Sequence, residues 1–179
     1  MTTYTTDPVI GGEGWAIQRI GPLVLGFWNV PLAEDRIHAC RRLYRSARKE
    51  HGKLTVFAVF RQSPFSIDVV AAQSARTLTL SLMKEFAGAF DAVIIVMDAT
   101  GFQATLSRLA AATFIGFVSR AVPITFPGST DAGVAVGHRS GSFRIVDEAT
   151  ARACLASLER EVLGGRFAMA SPGGTTQAP

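Results

Sequence analysis

A chain of 179 residues, 48% hydrophobic and 18% charged, is long enough for one domain with a sizeable core and too apolar for a disordered chain. Its longest apolar run, Leu109 to Val118, is about half the ~20 residues a membrane-spanning helix needs. The first residues, MTTYTTDPVIGGEG, lack the basic start and apolar stretch of a signal peptide, so a cytoplasmic location is expected. The net charge of +4 is local: Pro31 to Lys53 holds seven Lys or Arg against three acids, and the rest is balanced at eleven against eleven.

Residues 1–14 are rich in Thr and Gly and predict a flexible N-terminal arm. WAIQRIG and LVLGFW are strand formers on either side of Gly21-Pro22, which predicts an antiparallel pair. From Asn29 to His51 the spacing of Ile37, Cys40, Leu43, Tyr44 and Ala47 predicts a helix that Gly52 ends. Arg41, Arg42, Arg45, Arg48 and Lys49 fall on its opposite side as a basic stripe. LTVFAVF reads as a strand covered on both faces. Ser66 can cap a following helix, with Ile67 opening it and Ala71, Ala75, Leu78, Leu82 and Phe86 on one stripe. Within it TLTLSLM alternates like a strand, but the longer stripe favours helix.

Ala92 to Met97 predicts a buried parallel strand, and Asp98-Ala99-Thr100-Gly101 turns it into a helix from Phe102 to Val118. That helix is apolar over most of its circumference, so it is either covered or presented to a partner; cover by the last helix is preferred over self-association. PITF is a short strand, Ser129 caps a short helix through TDAGVAVG, and Asp147 to Leu163 is a last amphipathic helix with Leu155, Leu158 and Val162 inward. Residues 164–179 predict a disordered tail. The expected fold is a single α/β domain over 15–163, with a mixed, mostly parallel five-stranded sheet, packed helices and an extra C-terminal helix.

GPLVLGFW, DAVIIVMDATGF and PITFPGSTDAGVAV, with this order of elements, resemble the STAS domain over Trp15 to His138. The nearer likeness is to the small bacterial STAS-like or SEC14-like single-domain proteins. The resemblance implies a non-enzymatic regulatory domain that binds a protein partner or itself. In the anti-sigma-factor antagonists of that family a regulatory phosphoserine or phosphothreonine sits in the corner after the third strand. Ser63 and Ser66 occupy that corner here. The sequence Gln62-Ser63-Pro64-Phe65-Ser66 departs from the family's Asp-Ser-Ser/Thr-Gly-like pattern.

The residues offer chemistry of their own. A helix start with free N–H groups suits an anion, so Ser66, Asp98 and Thr100 are expected to line a small anion or ligand site, with Asp98 equally suited to capping. No partner carboxylate, nucleophile elbow or phosphate loop accompanies them, so no enzyme is expected. Cys40 and Cys154 read as buried thiols, and His38, His51 and His138 show no metal spacing; neither metal nor cofactor is expected. The basic stripe lacks interleaved aromatics, which argues against specific nucleic-acid binding. A second reading is a small-ligand or lipid-binding module with an apolar cavity beneath the Phe102–Val118 helix.

Overall fold

The computed structural model describes residues 4–64, 66–97, 135–136 and 146–167. Within these the chain forms strands β1 (Ile10–Gly12), β2 (Trp15–Ile20) and β3 (Leu23–Trp28), then helix α1 (Glu34–His51) and strand β4 (Leu54–Phe60). Helix α2 (Val69–Phe86), strands β5 (Phe90–Met97) and β6 (Ala135–Val136), and helix α3 (Glu148–Leu163) follow. One sheet holds the strands in chain order, β1-β2-β3-β4-β5-β6. The fold is therefore α/β with a mixed sheet, as expected, but the expected parallel majority is not found. Only β3–β4 and β4–β5 are parallel; β1–β2, β2–β3 and β5–β6 are antiparallel. For the first four strands the cause is the connections: the two-residue turns after β1 and β2 can only return the chain antiparallel, and the parallel pairs need crossovers, which α1 and α2 supply.

The β2–β3 hairpin forms where Gly21-Pro22 predicts it, with Gly21 at φ +54 in the first turn position. Helix α1 starts at Glu34 rather than Asn29, because Pro31 disfavours helix at Val30 and Ala33 is extended (φ −137). Its end is as expected: Gly52, at φ 72, donates its N–H to Arg48 O. TLTLSLM lies within α2, but the buried stripe is Ala72, Ala75, Leu82, Met83 and Phe86, with Ala71 exposed. Asp147 caps α3 by accepting from Thr150 N at 2.9 Å, and the Thr150 hydroxyl and N–H hold its carboxyl below the usual range.

Among the described residues two helices, α1 and α2, pack on one face of the sheet and α3 on the other. Ile37, Leu43, Tyr44, Leu82 and Phe86 pack with Ile17, Val24, Val56 and Val93. Ala151, Leu158 and Val162 of α3 pack with Ala16, Leu23, Leu25 and Phe27. This explains the continuous apolar pattern of β4, whose ends are buried on both faces. Directly paired residues build an aromatic row across the strands: Trp15 stacks on Trp28 (5.5 Å, 2°) and Trp28 on Phe60 (6.1 Å, 16°). Gly12 and Gly26 make room for it, since a Cβ there would lie 2.6 Å from Trp15 Nε1 and 2.7 Å from Trp28 Nε1.

Three further stretches are placed as follows. The N-terminal arm is paired to the sheet: Ile10, Gly11 and Gly12 form a ladder with β2, and Thr6 bridges to Ile20. Of the short helix expected through TDAGVAVG, Ala135–Val136 instead pair antiparallel with β5, and the other residues lie outside the described ones. The start of the expected tail is placed, with the Phe167 ring over Gly11. The Pro123–Phe126 strand and the Phe102–Val118 helix lie outside the described residues.

Candidate functional site at the strand–helix corner

The corner leaves the C-terminal edge of β4 and is tied to its neighbours by the backbone. Arg61 N donates to Trp28 O at 2.8 Å, and Leu32 N donates to Pro64 O at 2.8 Å. The Arg61 guanidinium reaches across to Glu159 on α3. Pro64 is buried, and Ser63 and Ser66 are half-buried.

The helix start is not the empty anion seat expected of it. Asp68, not Ser66, is the N-cap: its Oδ1 accepts from Val70 N at 2.8 Å and Ala71 N at 3.0 Å. Ser66 acts one step earlier, its Oγ accepting from Asp68 N at 3.1 Å. Ser66 thus shapes the turn that delivers Asp68, and Asp68 satisfies the helix N–H groups. A carboxylate already fills the place where a bound anion would sit. Accordingly Asp68→Ala is expected to lower stability by about 1 kcal/mol and Ser66→Ala by a few tenths, the scale of a lost cap against a lost turn bond. Urea unfolding of both variants measures this, and equal losses would make Ser66 the cap.

Beside this turn the chain leaves large apolar groups in water. Ile67, Val69 and Val70 are 94%, 79% and 79% exposed. Val69 and Val70 continue into an open groove of about 620 Å³ along α2, lined also by Gln73, Ser74, Thr77 and Leu78. Between Val69 and Met83 the helix carries one charge, Arg76. Periodicity does not reveal this surface, because Ile67, Val69 and Val70 lie outside the Ala71–Phe86 stripe that it picks out; the apolar run FSIDVV ahead of that stripe is the available signal.

The basic stripe divides. Three of its members pin α1 to the end of α2. Arg41 Nε lies 3.0 Å from Glu85 Oε2, close enough for an ion pair though the angle is not that of a hydrogen bond. Arg45 donates from Nε and Nη2 to Glu85 Oε1 at 2.9 and 2.8 Å. Arg48 donates to Glu85 O at 3.3 Å and lies 5.6 Å from the Phe86 ring centroid. Hydrogen bonding from Arg45 first, then the nearby guanidinium charges, holds the Glu85 carboxyl below its ordinary range. Arg42, Arg45, Arg48 and Lys49 are all exposed, and Arg41 is half-buried.

Asp98 and Thr100 lie outside the described residues, so the corner is placed from Ser63 and Ser66 alone. Burial pushes the Cys40 thiol up to about 12 and raises that of Cys154, which suits packing and opposes nucleophilic use. His38 lies 3.4 Å from Glu34 Oε1, and the ring of His51 meets Tyr4 edge-on at 6.2 Å. Among the described residues no group of three or more His, Cys, Asp and Glu is arranged to hold a metal ion, and no helix is long and apolar enough to cross a membrane.

A buried ion-pair arrangement lies outside every expected site. Arg19, only 2% exposed, sits one residue from the end of β2 and meets two carboxylates. Its Nε and Nη2 donate to Asp7 Oδ2 and Oδ1 at 2.7 and 2.8 Å. Its Nη1 and Nη2 donate to Glu50 Oε2 and Oε1 at 2.7 and 3.1 Å. Asp7 first, and Glu50 after it, raise the guanidinium's pKa; in return Arg19 lowers that of Glu50. An arginine inside an apolar strand was the sequence signal, because a buried charge requires a partner. Comparison with protein-family models, with curated proteins and with solved structures finds no match.

Proposed function

We propose that the chain is a non-enzymatic, STAS-like interaction domain of a bacterial cytoplasmic protein. Its working surface is the corner from Ser63 to Val70 with the adjoining outer face of α2. The observation that carries the reading is the exposure of Ile67, Val69 and Val70 beside the groove of a nearly uncharged helix. Apolar side chains clustered in water favour burial against a protein partner. Phosphorylation of Ser63 or Ser66 is the control. On Ser66 it adds about two negative charges two residues from the Asp68 carboxylate. Like-charge repulsion then acts on the turn that sets Asp68 over the helix start, and so on the apolar tip.

The test is a photo-reactive side chain at position 70, with one at Arg42 as the control, in the protein's own host. Partner adducts are expected at position 70, and binding of the recovered partner should weaken at least about tenfold in Val69→Asp/Val70→Asp and change in Ser66→Glu. Equal labelling from both positions, or affinity untouched by the two aspartates, refutes the assignment of this surface. A small apolar molecule that co-purifies and protects position 70 would instead support the ligand-binding reading.

A further inference from the structure

The groove beside Val69 and Val70 leads toward a charged end of the same helix. Ser74 and Leu78 line it, and Glu85 stands about three turns beyond the first and about two beyond the second, on the same side of α2. Glu85 meets Arg41 and Arg45 of α1, so this is the side of α2 that borders α1. The groove therefore follows the seam between the two helices. From the apolar tip at Val70 to Glu85 the seam runs about 22 Å.

Its two ends differ in charge. Helices α1 and α2 each follow a parallel strand and so start at the same edge of the sheet, where Glu34, Asp35 and Asp68 are exposed. At the other end Arg41, Arg45 and Arg48 all converge on Glu85, and Lys84 next to it in the chain is exposed. Among the described residues a single carboxylate serves this cluster. Arg41 and Arg45 share it, while Arg48 donates to the Glu85 carbonyl and lies over the Phe86 ring, neither of which is anionic. The helix dipoles account for acids in a first turn and bases in a last one, but not for Arg41 and Arg45, which stand mid-helix. Arg45 gives Nε and Nη2 to Glu85, and Arg48 gives Nη1 alone. A guanidinium has further N–H groups, and these suit a second carboxylate. The cluster is open to one, since the Arg45 side chain is 64% exposed.

We infer that the occupant of the α2 surface is a protein helix with apolar residues at one end and acidic residues at the other, its carboxylates seated on Arg45, Arg48 and Lys84. This rests on the reading of the α2 surface as the working one and adds the chemistry of the partner. A helix suits an open groove along a helix seam. Its apolar end covers Val69 and Val70, and its acidic end supplies the counter-charge that Glu85 alone does not. The polarity also sets which end lies where, because acids placed at the tip would meet Glu34, Asp35 and Asp68.

Two synthetic helical peptides of about sixteen residues, long enough to reach from Val70 to Arg48, are the probes. Both carry leucines at one end; at the other, one carries glutamates and its counterpart lysines. The intact chain is titrated with each and followed by amide NMR. The glutamate peptide should bind at least about tenfold tighter than the lysine peptide, with shifts running from Val70 to Arg48. Glu85→Gln frees Arg45 and should tighten that binding about threefold, the opposite of what a loosened seam alone would do. Lys84→Glu should weaken it about fivefold. Equal affinity for the two peptides, or binding of neither, overturns the acidic helix as occupant; the α2 surface itself stands or falls separately, by the labelling from position 70. Vesicles of equimolar phosphatidylcholine and phosphatidylglycerol are the last comparison. If they bind the wild type but not Val69→Asp/Val70→Asp, and the glutamate peptide does not displace them, the occupant is a lipid surface and the inference is refuted.

Discussion

Arg19→Ala is expected to destabilise the protein by about 3 kcal/mol, and Arg19→Met by roughly half as much. The two carboxylates around Arg19 are partly exposed, so water recovers part of their loss; the remainder is the cavity under α1 and the loosened edge of β2. Methionine refills the volume without the charge, which separates packing from electrostatics. Urea unfolding with an unchanged slope measures both. Equal losses would mean that volume is irrelevant, and a loss below ~0.5 kcal/mol in alanine would mean that the bridge does not stabilise the fold. The acid limb carries the sign. Arg19 holds the folded-state pKa of Glu50 below its ordinary value of 4.5, so this contribution is present above pH 4.5 and disappears as pH falls through the depressed value. The gap in thermal midpoint between wild type and Arg19→Met should hold near neutrality and narrow in strong acid.

Phe86→Ala is the larger expected loss, about 4 kcal/mol. Phe86 is buried at the end of α2 in an aromatic cluster: Tyr44 meets it edge-on at 5.5 Å, Phe90 lies tilted to it at 6.3 Å, and Arg48 is over its ring. Truncation empties the joint between α1, α2 and β5 and removes the surface on which Arg48 rests. Phe86→Leu should retain most of the volume and cost about 1.5 kcal/mol. Denaturant midpoints for the pair decide it. A Phe86→Ala loss no larger than that of Phe86→Leu would show that the joint collapses to fill the gap, and that the cluster is not a fixed centre of the core.

Much of this architecture is legible in the chain because one physical rule governs each element. Gly21-Pro22 permits only a tight return, the i, i+3, i+4 spacing from Ile37 to Ala47 permits only a helix with one buried side, and LTVFAVF permits only a strand without a wet face. The failures come where two rules compete. Ser66 and Asp68 are both good caps, and periodicity cannot say which one the turn will present. The N-terminal arm reads as loose by composition, yet Arg19 needs a carboxylate and Asp7 lies on that arm; the partner is twelve residues away and invisible to local pattern. The basic stripe does face outward, but a helical wheel cannot show what stands beside it, here Glu85 of the neighbouring helix. At the candidate site the same limit applies. The corner could be located from the strand-to-helix change, but the exposure of Ile67, Val69 and Val70 depends on how α2 lies on the sheet.

The aromatic row has a practical consequence. The chain has two tryptophans, and both are in that row, stacked face to face on paired strands. Its tryptophan emission therefore comes from one spot on β2 and β3, close to where β4 hands the chain to the corner. Indole rings 5.5 Å apart and parallel couple their transitions, so an exciton couplet in the near-ultraviolet circular dichroism would report the stack itself. That pair of bands gives an optical reading of strand register beside the proposed surface, with no label attached to the protein.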